Sequence, residues 1–156
     1  FMARKIAKET PLPRIESHYS GYMLSADTFY VCRIKGIGRI YQFSAIDTYS
    51  SFGFAHLYTD KTSKSAIDFI AKTINTFAGM GIAVEKVLTD HGKEYTTHWE
   101  GGFHPFEEYL DLNGIEHRYT KVRHPWTNGF VERFQRTILE EFYQPRGAKI
   151  TYAISM

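Results

Sequence analysis

Cysteine is nearly missing from this chain, whose 156 residues contain only Cys32. A single cysteine excludes an internal disulfide and any zinc site built from four cysteines. Long apolar runs are also lacking, since no stretch approaches the roughly 18 residues that a membrane-spanning helix needs. Charges at Arg4, Lys5, Lys8 and Glu9 interrupt any apolar signal segment at the start of the sequence. We therefore expect a cytoplasmic protein with no membrane partner.

A strong overall charge is lacking as well, because 19 Lys and Arg against 17 Asp and Glu leave a net charge of +2. That value alone does not indicate a nucleic-acid partner. The apolar content of 43% and charged content of 23% are typical of a globular domain. We expect a basic arm or linker over residues 1–20, one folded domain over residues 21–144 and a tail over residues 145–156.

The hydrophobic periodicity predicts an α/β protein. Strands are predicted over residues 22–32, 39–47, 52–58, 84–89 and 115–119. A first helix is predicted after the third strand, capped by Ser63 or Ser65 and ended by Gly79 and Gly81. A second is predicted over 106–112, ended by Asn113-Gly114, and a third over 127–143 with Val131, Phe134, Ile138 and Phe142 facing inward. Three strands joined by short turns, followed by alternating helices and strands, predict a five-stranded mixed sheet flanked by helices.

Three carboxylates occupy positions where chemistry is conceivable. Asp90 follows an apolar strand and precedes Gly92, and ligand sites in α/β sheets lie at the carboxyl ends of strands. An Asp that merely begins an Asx-turn explains the same pattern. Glu132 lies in the first turns of the last helix, where it also has the spacing to pair with Arg136. Asp27 interrupts a strand, which a metal, a bulge or an exposed face would explain.

The order of three segments resembles the catalytic core of the retroviral integrase and bacterial insertion-sequence transposase superfamily. The segments are LSADTF at 24–29, VLTDHGKEY at 87–95 and HPWTNGFVERFQRTILEEF at 124–142. The most specific piece is Pro-x-Thr-Asn-Gly-x-x-Glu-Arg at 125–133, and the resemblance covers roughly residues 21–143. It implies a ribonuclease-H-like fold in which three antiparallel strands precede two parallel ones.

The resemblance also implies an Asp-Asp-Glu triad made of Asp27, Asp90 and Glu132. These residues would bind two Mg²⁺ or Mn²⁺ ions, which prefer carboxylate oxygens and clamp the reacting oxygens of a phosphodiester. Asp47 is a competitor for the first position, because an Asp often stands there in the transposase branch. We prefer Asp27 and expect Asp47 to cap a turn, since the fold places the first and fourth strands side by side.

The resemblance implies DNA as the partner, both as element ends and as target. The predicted DNA-binding residues are four cations that could neutralise phosphates near the triad and one loop residue beside it. The cations are Lys121, Arg123, Arg133 and Arg136, and the loop residue is Asn128. A solvated charged face is the alternative for the cations. A homodimer or higher multimer is expected, because the family holds paired DNA ends.

The predicted activity is nicking of element-end DNA followed by transfer of the 3′-hydroxyl end to target DNA. One alternative is a metal-dependent nuclease on the same fold that performs no strand transfer. A second is a DNA-binding or assembly module that has lost catalysis. A glycosidase with two carboxylates is disfavoured, because the Thr-Asn-Gly-x-x-Glu-Arg context is unlike a sugar cleft.

Overall fold

The computed structural model describes residues 16–97, 101–120 and 129–143. In chain order the elements are β1 (Leu24–Ile34), β2 (Gly38–Asp47), β3 (Gly53–Tyr58), α1 (Ser63–Gly79), β4 (Lys86–Thr89), α2 (Pro105–Leu112), β5 (Glu116–Tyr119), α3 (Gly129–Ile138) and a π-helical segment (Leu139–Tyr143). Within these ranges, no helix combines the length and the apolar character that crossing a bilayer requires.

The five strands form one mixed sheet in the order β3-β2-β1-β4-β5. Strands β1, β2 and β3 make an antiparallel meander. Strand β4 runs parallel to β1, where Ser25 pairs with Leu88, and β5 runs parallel to β4. This arrangement confirms the predicted sheet of three antiparallel strands followed by two parallel ones, with the first and fourth strands adjacent.

One face of the sheet packs against α1 and α2 and carries the apolar core. Side chains alternate along a strand, so residues two apart share a face. The core includes Leu24, Ala26, Phe43, Ala45 and Val87 from the sheet, Phe69, Ile70 and Phe77 from α1, and Phe106 and Leu110 from α2. Burial of these side chains leaves Ser25, Asp27 and Gln42 on the opposite face, which α3 covers.

Helix α3 approaches that second face through the start of β3. A Cβ built on Gly53 would lie 2.6 Å from the ring of Phe134, so the absence of a side chain lets the ring rest on the strand. At the far end, the Tyr143 hydroxyl donates a hydrogen bond of 2.5 Å to Oε1 of the buried Gln42. These two contacts flank the middle of β1 and position α3 over it.

The last helix differs from its prediction. The α-helix ends at Ile138 and continues as a π-helical segment to Tyr143, whereas one α-helix was expected over 127–143. Val131 is buried as predicted, and Phe134 and Ile138 are half-buried. Gln135 is also buried, which the apolar spacing did not indicate. A polar side chain can be buried here because Asp27 on β1 accepts its hydrogen bond. The start of the predicted helix at 127 and the side chain of Phe142 lie outside the described residues.

The helix α1 is capped by Thr62 rather than by Ser63 or Ser65. The Thr62 hydroxyl oxygen accepts a hydrogen bond of 3.3 Å from the Ser65 backbone N–H. The Ser65 hydroxyl instead donates to Asp60 at 2.5 Å and is therefore engaged elsewhere. This pattern is that of an N-cap, in which a side-chain oxygen satisfies a free amide of the first turn.

Candidate active site

Asp27 lies in the middle of β1 on the face covered by α3. Its Oδ1 accepts a hydrogen bond of 2.8 Å from the Thr28 backbone N–H. Its Oδ2 accepts one of 3.2 Å from Nε2 of Gln135. The strand position therefore fixes this carboxylate between the sheet and α3.

Asp90 follows the last residue of β4, next to Asp27. The paired register of β1 and β4 ends at Ser25 and Leu88, and two residues further along each chain stand Asp27 on β1 and Asp90 just after β4. The charge of Asp90 acts on the Asp27 carboxylate, which places the two side chains near each other. Asp90 Oδ1 accepts a hydrogen bond of 2.9 Å from the Gly92 N–H, so Asp90 does form an Asx-type turn. The turn engages one carboxylate oxygen, and the arrangement brings Asp27 and Asp90 together at the carboxyl end of a parallel strand.

The electrostatics of Asp27 reflect this neighbour. The pKa of Asp27 is raised to about 6. Burial is the main cause and the charge of Asp90 adds to it, while the hydrogen bonds from Thr28 and Gln135 and the charge of Lys61 act in the opposite direction. Two carboxylates side by side disfavour each other's charged form. A divalent cation between them would relieve both the repulsion and the desolvation of Asp27.

Glu132 lies in the first turn of α3 and is exposed. Three residues at about 100° each place it about 60° around the helix from Gln135, which contacts Asp27. Among the described residues, no three His, Cys, Asp or Glu side chains lie close enough to share a metal ion. Asp27 and Asp90 are thus brought together, while Glu132 stands on the adjacent helix outside that pair and its role stays a prediction.

Asp47 has the structural role that was expected of it. The residue is fully buried at the end of β2. Its carboxylate accepts hydrogen bonds from the Ser20 hydroxyl at 2.7 Å, from the Gly21 N–H at 3.2 Å, and from the N–H and hydroxyl of Ser50 at 3.2 and 2.6 Å. Burial alone would raise its pKa, but these hydrogen bonds outweigh burial and hold the pKa below the ordinary value.

An ion pair with one buried partner, which the sequence did not reveal, lies near the two carboxylates. Lys61 Nζ is 3.2 Å from Oε1 of Glu94, whose side chain is 3% exposed against 40% for Lys61. The Glu94 carboxylate rests against Gly92, where a Cβ would approach it to 2.6 Å. The pair therefore supports the turn that holds Asp90, and Lys61 adds a positive charge that lowers the pKa of Asp27.

The predicted DNA-binding residues fall in two groups. Arg133 and Arg136 are exposed on α3, and the Arg133 guanidinium lies 6.0 Å from the centre of the Phe130 ring. The remaining three, Lys121, Arg123 and Asn128, lie outside the described residues. Exposure of the two arginines beside the face that bears Asp27 is compatible with contacts to phosphates.

Solved structures that resemble this fold include catalytic cores of retroviral integrases. The chain superposes on a simian T-cell lymphotropic virus intasome with a TM-score of 0.62, covering 80% of this chain and 41% of that one at 20% identity. The HTLV-2 integrase catalytic core in complex with magnesium gives 0.60, with 84% and 80% covered at 15% identity. The BIV integrase catalytic core gives 0.57, with 78% and 68% covered at 18% identity. At these identities the likeness shows a shared ribonuclease-H-like fold.

Curated relatives point the same way from sequence. ORF3 of Spiroplasma virus SpV1-C74, itself described as a candidate integrase, is 27% identical over 125 residues, which are 76% of this chain and 34% of that protein. The Pol polyprotein of the Nicotiana tabacum transposon TNT 1-94 is 38% identical over 61 residues, 39% of this chain and 4% of its own length. The chain thus spans about a third or less of these relatives.

Family profiles extend the match across most of the described fold. The integrase core domain profile matches residues 17–125, which include β1 to β5 with Asp27 and Asp90. A second integrase core domain profile matches residues 113–153, which include α3 with Glu132. With the mixed sheet and the paired carboxylates on adjacent strands, these matches establish that the chain belongs to the integrase core domain family.

Proposed function

We propose that this chain is the catalytic core of a DNA transposase or integrase that nicks element-end DNA and transfers the 3′-hydroxyl end to target DNA. The observation that carries the proposal is the juxtaposition of Asp27 and Asp90 at adjacent strands of an integrase-type sheet. Phosphodiester cleavage needs an activated nucleophilic oxygen and a stabilised leaving oxygen. Divalent cations held by clustered carboxylates beside a phosphate would meet both needs.

The residues present fit a divalent metal. Asp27 carries a raised pKa beside a second carboxylate, which is the environment that a hard cation with oxygen ligands relieves. Asp27, Asp90 and, in the proposal, Glu132 would hold Mg²⁺ or Mn²⁺. When bound, such ions would stabilise negative charge on the attacking and leaving oxygens of the phosphodiester.

The chain's own groups orient and protect this arrangement. Gln135 holds one oxygen of Asp27, and the Gly92 N–H holds one oxygen of Asp90. Because the Thr28 N–H holds the other oxygen of Asp27, that carboxylate is fixed through both oxygens, whereas Asp90 is fixed through one. Arg133 and Arg136 would neutralise phosphates of the bound strand, and pairing of two DNA ends would need a homodimer or a higher multimer.

Strand joining tests the proposal directly. The full 156-residue chain is incubated with Mn²⁺, a labelled duplex carrying a free 3′-hydroxyl end, and a supercoiled plasmid. We expect joined product from the wild type, and a loss of at least about 10³-fold in Asp27→Asn and Asp90→Asn. Asp111→Asn, which removes an exposed carboxylate at the end of α2, is the matched control and retains full activity.

Two outcomes would replace the proposal. Plasmid nicking without joining identifies a nuclease on this fold. Binding of duplex DNA without Mn²⁺ uptake in calorimetry identifies a module that binds DNA or assembles with partners without catalysis. Wild-type joining by Asp90→Asn would refute the assignment of the carboxylates.

A further inference from the structure

The outer part of the β1–β2 hairpin, residues 30–41, is a two-stranded ribbon that the rest of the sheet does not extend. On one side β4 pairs only with Leu24 and Ser25, near the start of β1. On the other side β3 pairs with β2 only from Tyr41 to Ile46. Beyond Tyr41 the two strands therefore pair only with each other among the described strands. A bulge between Tyr30 and Cys32 marks the base of this ribbon, and bulges increase strand twist.

The ribbon carries positive charge with no acid of its own. Arg33, Lys35 and Arg39 are exposed, and the sequence from Thr28 to Ile46 contains neither Asp nor Glu. No ion pair in the described parts of the chain involves these three cations. Arg33 and Arg39 are direct cross-strand partners, and like charges in that position destabilise a hairpin. A polyanion bound at the ribbon would relieve this repulsion.

Aromatic rings accompany the two arginines on one face. Tyr30 pairs with Tyr41 across the strands, and their rings meet edge to face at 5.9 Å. Tyr30, Tyr41, Arg33 and Arg39 together line one shallow depression. The register puts this depression on the face opposite to Asp27, so the ribbon surface is separate from the carboxylate pair.

The tip of the ribbon is slender and apolar. Gly36 and Gly38 have φ values of +85° and +112°, which favour glycine, and they leave the turn without side chains on either side of Ile37. Ile37 is 52% exposed. A narrow ribbon with basic flanks and an aliphatic tip fits the major groove of duplex DNA, because that groove admits a two-stranded ribbon and presents thymine methyl groups to apolar side chains.

We propose that the β1–β2 ribbon is a second duplex-DNA binding surface, with Arg33, Lys35 and Arg39 on phosphates and Ile37 at the groove. At about 3.3 Å per residue, the six residues from Asp27 to Arg33 span about 20 Å, less than one turn of duplex. The ribbon extends beyond the end of the sheet at which Asp27 and Asp90 lie. It would give the chain a DNA contact that takes no part in the chemistry. The inference goes beyond the proposed function and does not require catalysis.

The test measures binding of a labelled 30-base-pair duplex to the full chain in EDTA between 50 and 200 mM NaCl. Without metal, failure of the catalytic proposal does not affect this result. Arg33→Gln/Arg39→Gln should bind about tenfold more weakly at 50 mM. The slope of log affinity against log salt concentration should become less steep by roughly two, because two fewer counterions are released. The control Lys64→Gln/Lys72→Gln removes two exposed cations from α1 and should lose less than about threefold.

Further variants separate charge, shape and folding. Ile37→Ser should weaken binding with an unchanged salt slope, because it removes no charge. Arg33→Lys/Arg39→Lys keeps both charges and should retain the wild-type slope, which decides the case if the glutamine variant melts early. The proposal would be overturned if the ribbon and α1 variants lost equal affinity. It would also be overturned if the salt slope were unchanged in the glutamine variant or lost in the lysine variant. Displacement of the duplex by polyglutamate at equal anion concentration would overturn it as well.

Discussion

Gln135 donates a hydrogen bond of 3.2 Å from Nε2 to Oδ2 of Asp27, which connects α3 to the middle of β1. The contact joins residues that are far apart in the chain, and it holds one of the two carboxylates that the sheet brings together. It also lowers the pKa of Asp27 against the effects of burial and of Asp90. A neutral side chain on α3 thus favours the charged form of a carboxylate proposed to bind metal.

Removing this hydrogen bond should shift the pH at which metal binds. In Gln135→Met the shape is nearly kept but the donor is lost, so the pKa of Asp27 rises above its value of about 6. We expect the midpoint of Mn²⁺ binding against pH to move upward by about half a unit, measured by calorimetry from pH 5 to 8. Thr137→Val, at an exposed position of α3, is the control. A midpoint that does not move would show that Gln135 has no influence on the site.

Asp27 should weaken the metal-free fold at neutral pH. Its pKa rises from an ordinary 3.8 to about 6, so its contribution to stability is present below pH 4 and is lost as pH rises to about 6. Asp27→Asn should therefore stabilise the metal-free chain at pH 7 by about 1 to 3 kcal/mol and have little effect at pH 3.5. Urea denaturation checks both values. Excess Mg²⁺ should stabilise the wild type and leave the variant unchanged, and the reverse order would contradict the proposed site.

Asp47 should matter for folding and not for chemistry. Its pKa is held low by hydrogen bonds, so its contribution is present at neutral pH and is lost as pH falls below 3.8. Asp47→Asn loses acceptors for buried donors and should cost about 2 kcal/mol of unfolding free energy. Strand joining per folded molecule at low temperature should equal that of the wild type. A loss as large as that of Asp27→Asn would make Asp47 the catalytic residue of the pair.

The ion pair of Lys61 with the buried Glu94 should show measurable coupling. Lys61→Gln leaves the Glu94 carboxylate, 3% exposed, without its cation, and we expect a loss of about 2 kcal/mol, reduced by the partial exposure of Lys61. The double variant with Glu94→Gln should recover part of that loss, giving a coupling of about 1 kcal/mol or more in a double-mutant cycle. The exposed pair Lys72 and Asp68, at 2.7 Å, is the control and should couple by less than about 0.5 kcal/mol.

Gly53 should be intolerant of a side chain because Phe134 lies against it. The Cβ of Gly53→Ala would meet the ring at 2.6 Å, so the ring or α3 must move, and overpacking of this kind costs about 1 to 3 kcal/mol. Strand joining should fall, since α3 carries Glu132 and Gln135. Phe134→Leu in the same chain makes room and should restore part of both stability and activity. Failure of that rescue would show that the contact with Phe134 is not the cause.

The sheet was predictable because its signals are local. Apolar runs bounded by glycine predicted all five strands to within about two residues, and Asn113-Gly114 correctly predicted the end of α2. The end of α3 was not predictable, because the change to a π-helical segment follows no local pattern. The cap of α1 was also misassigned, since three hydroxyl residues stand together and the choice among them depends on Asp60.

The site was predictable only in part. Asp27 and Asp90 were identified from motif resemblance and are adjacent in the structure, and the buried, hydrogen-bonded state of Asp47 confirms its expected capping role. Gln135 was missed although it lies four residues after Val131 on the inward stripe, where a polar residue is a signal. The Lys61 and Glu94 pair gave no sequence signal, because an ion pair between residues 33 positions apart depends on the tertiary fold.

Asp27 sits on a hydrogen-bonded strand and not on a loop, and its neighbour follows the strand alongside. Residues borne on paired strands hold their positions more accurately than residues on loops. The relative position of the two acidic groups therefore depends on the pairing of β1 with β4, and a bound cation would need little further ordering of the main chain. The loops around the two carboxylates can therefore change in sequence and length while the placement of Asp27 and Asp90 is preserved.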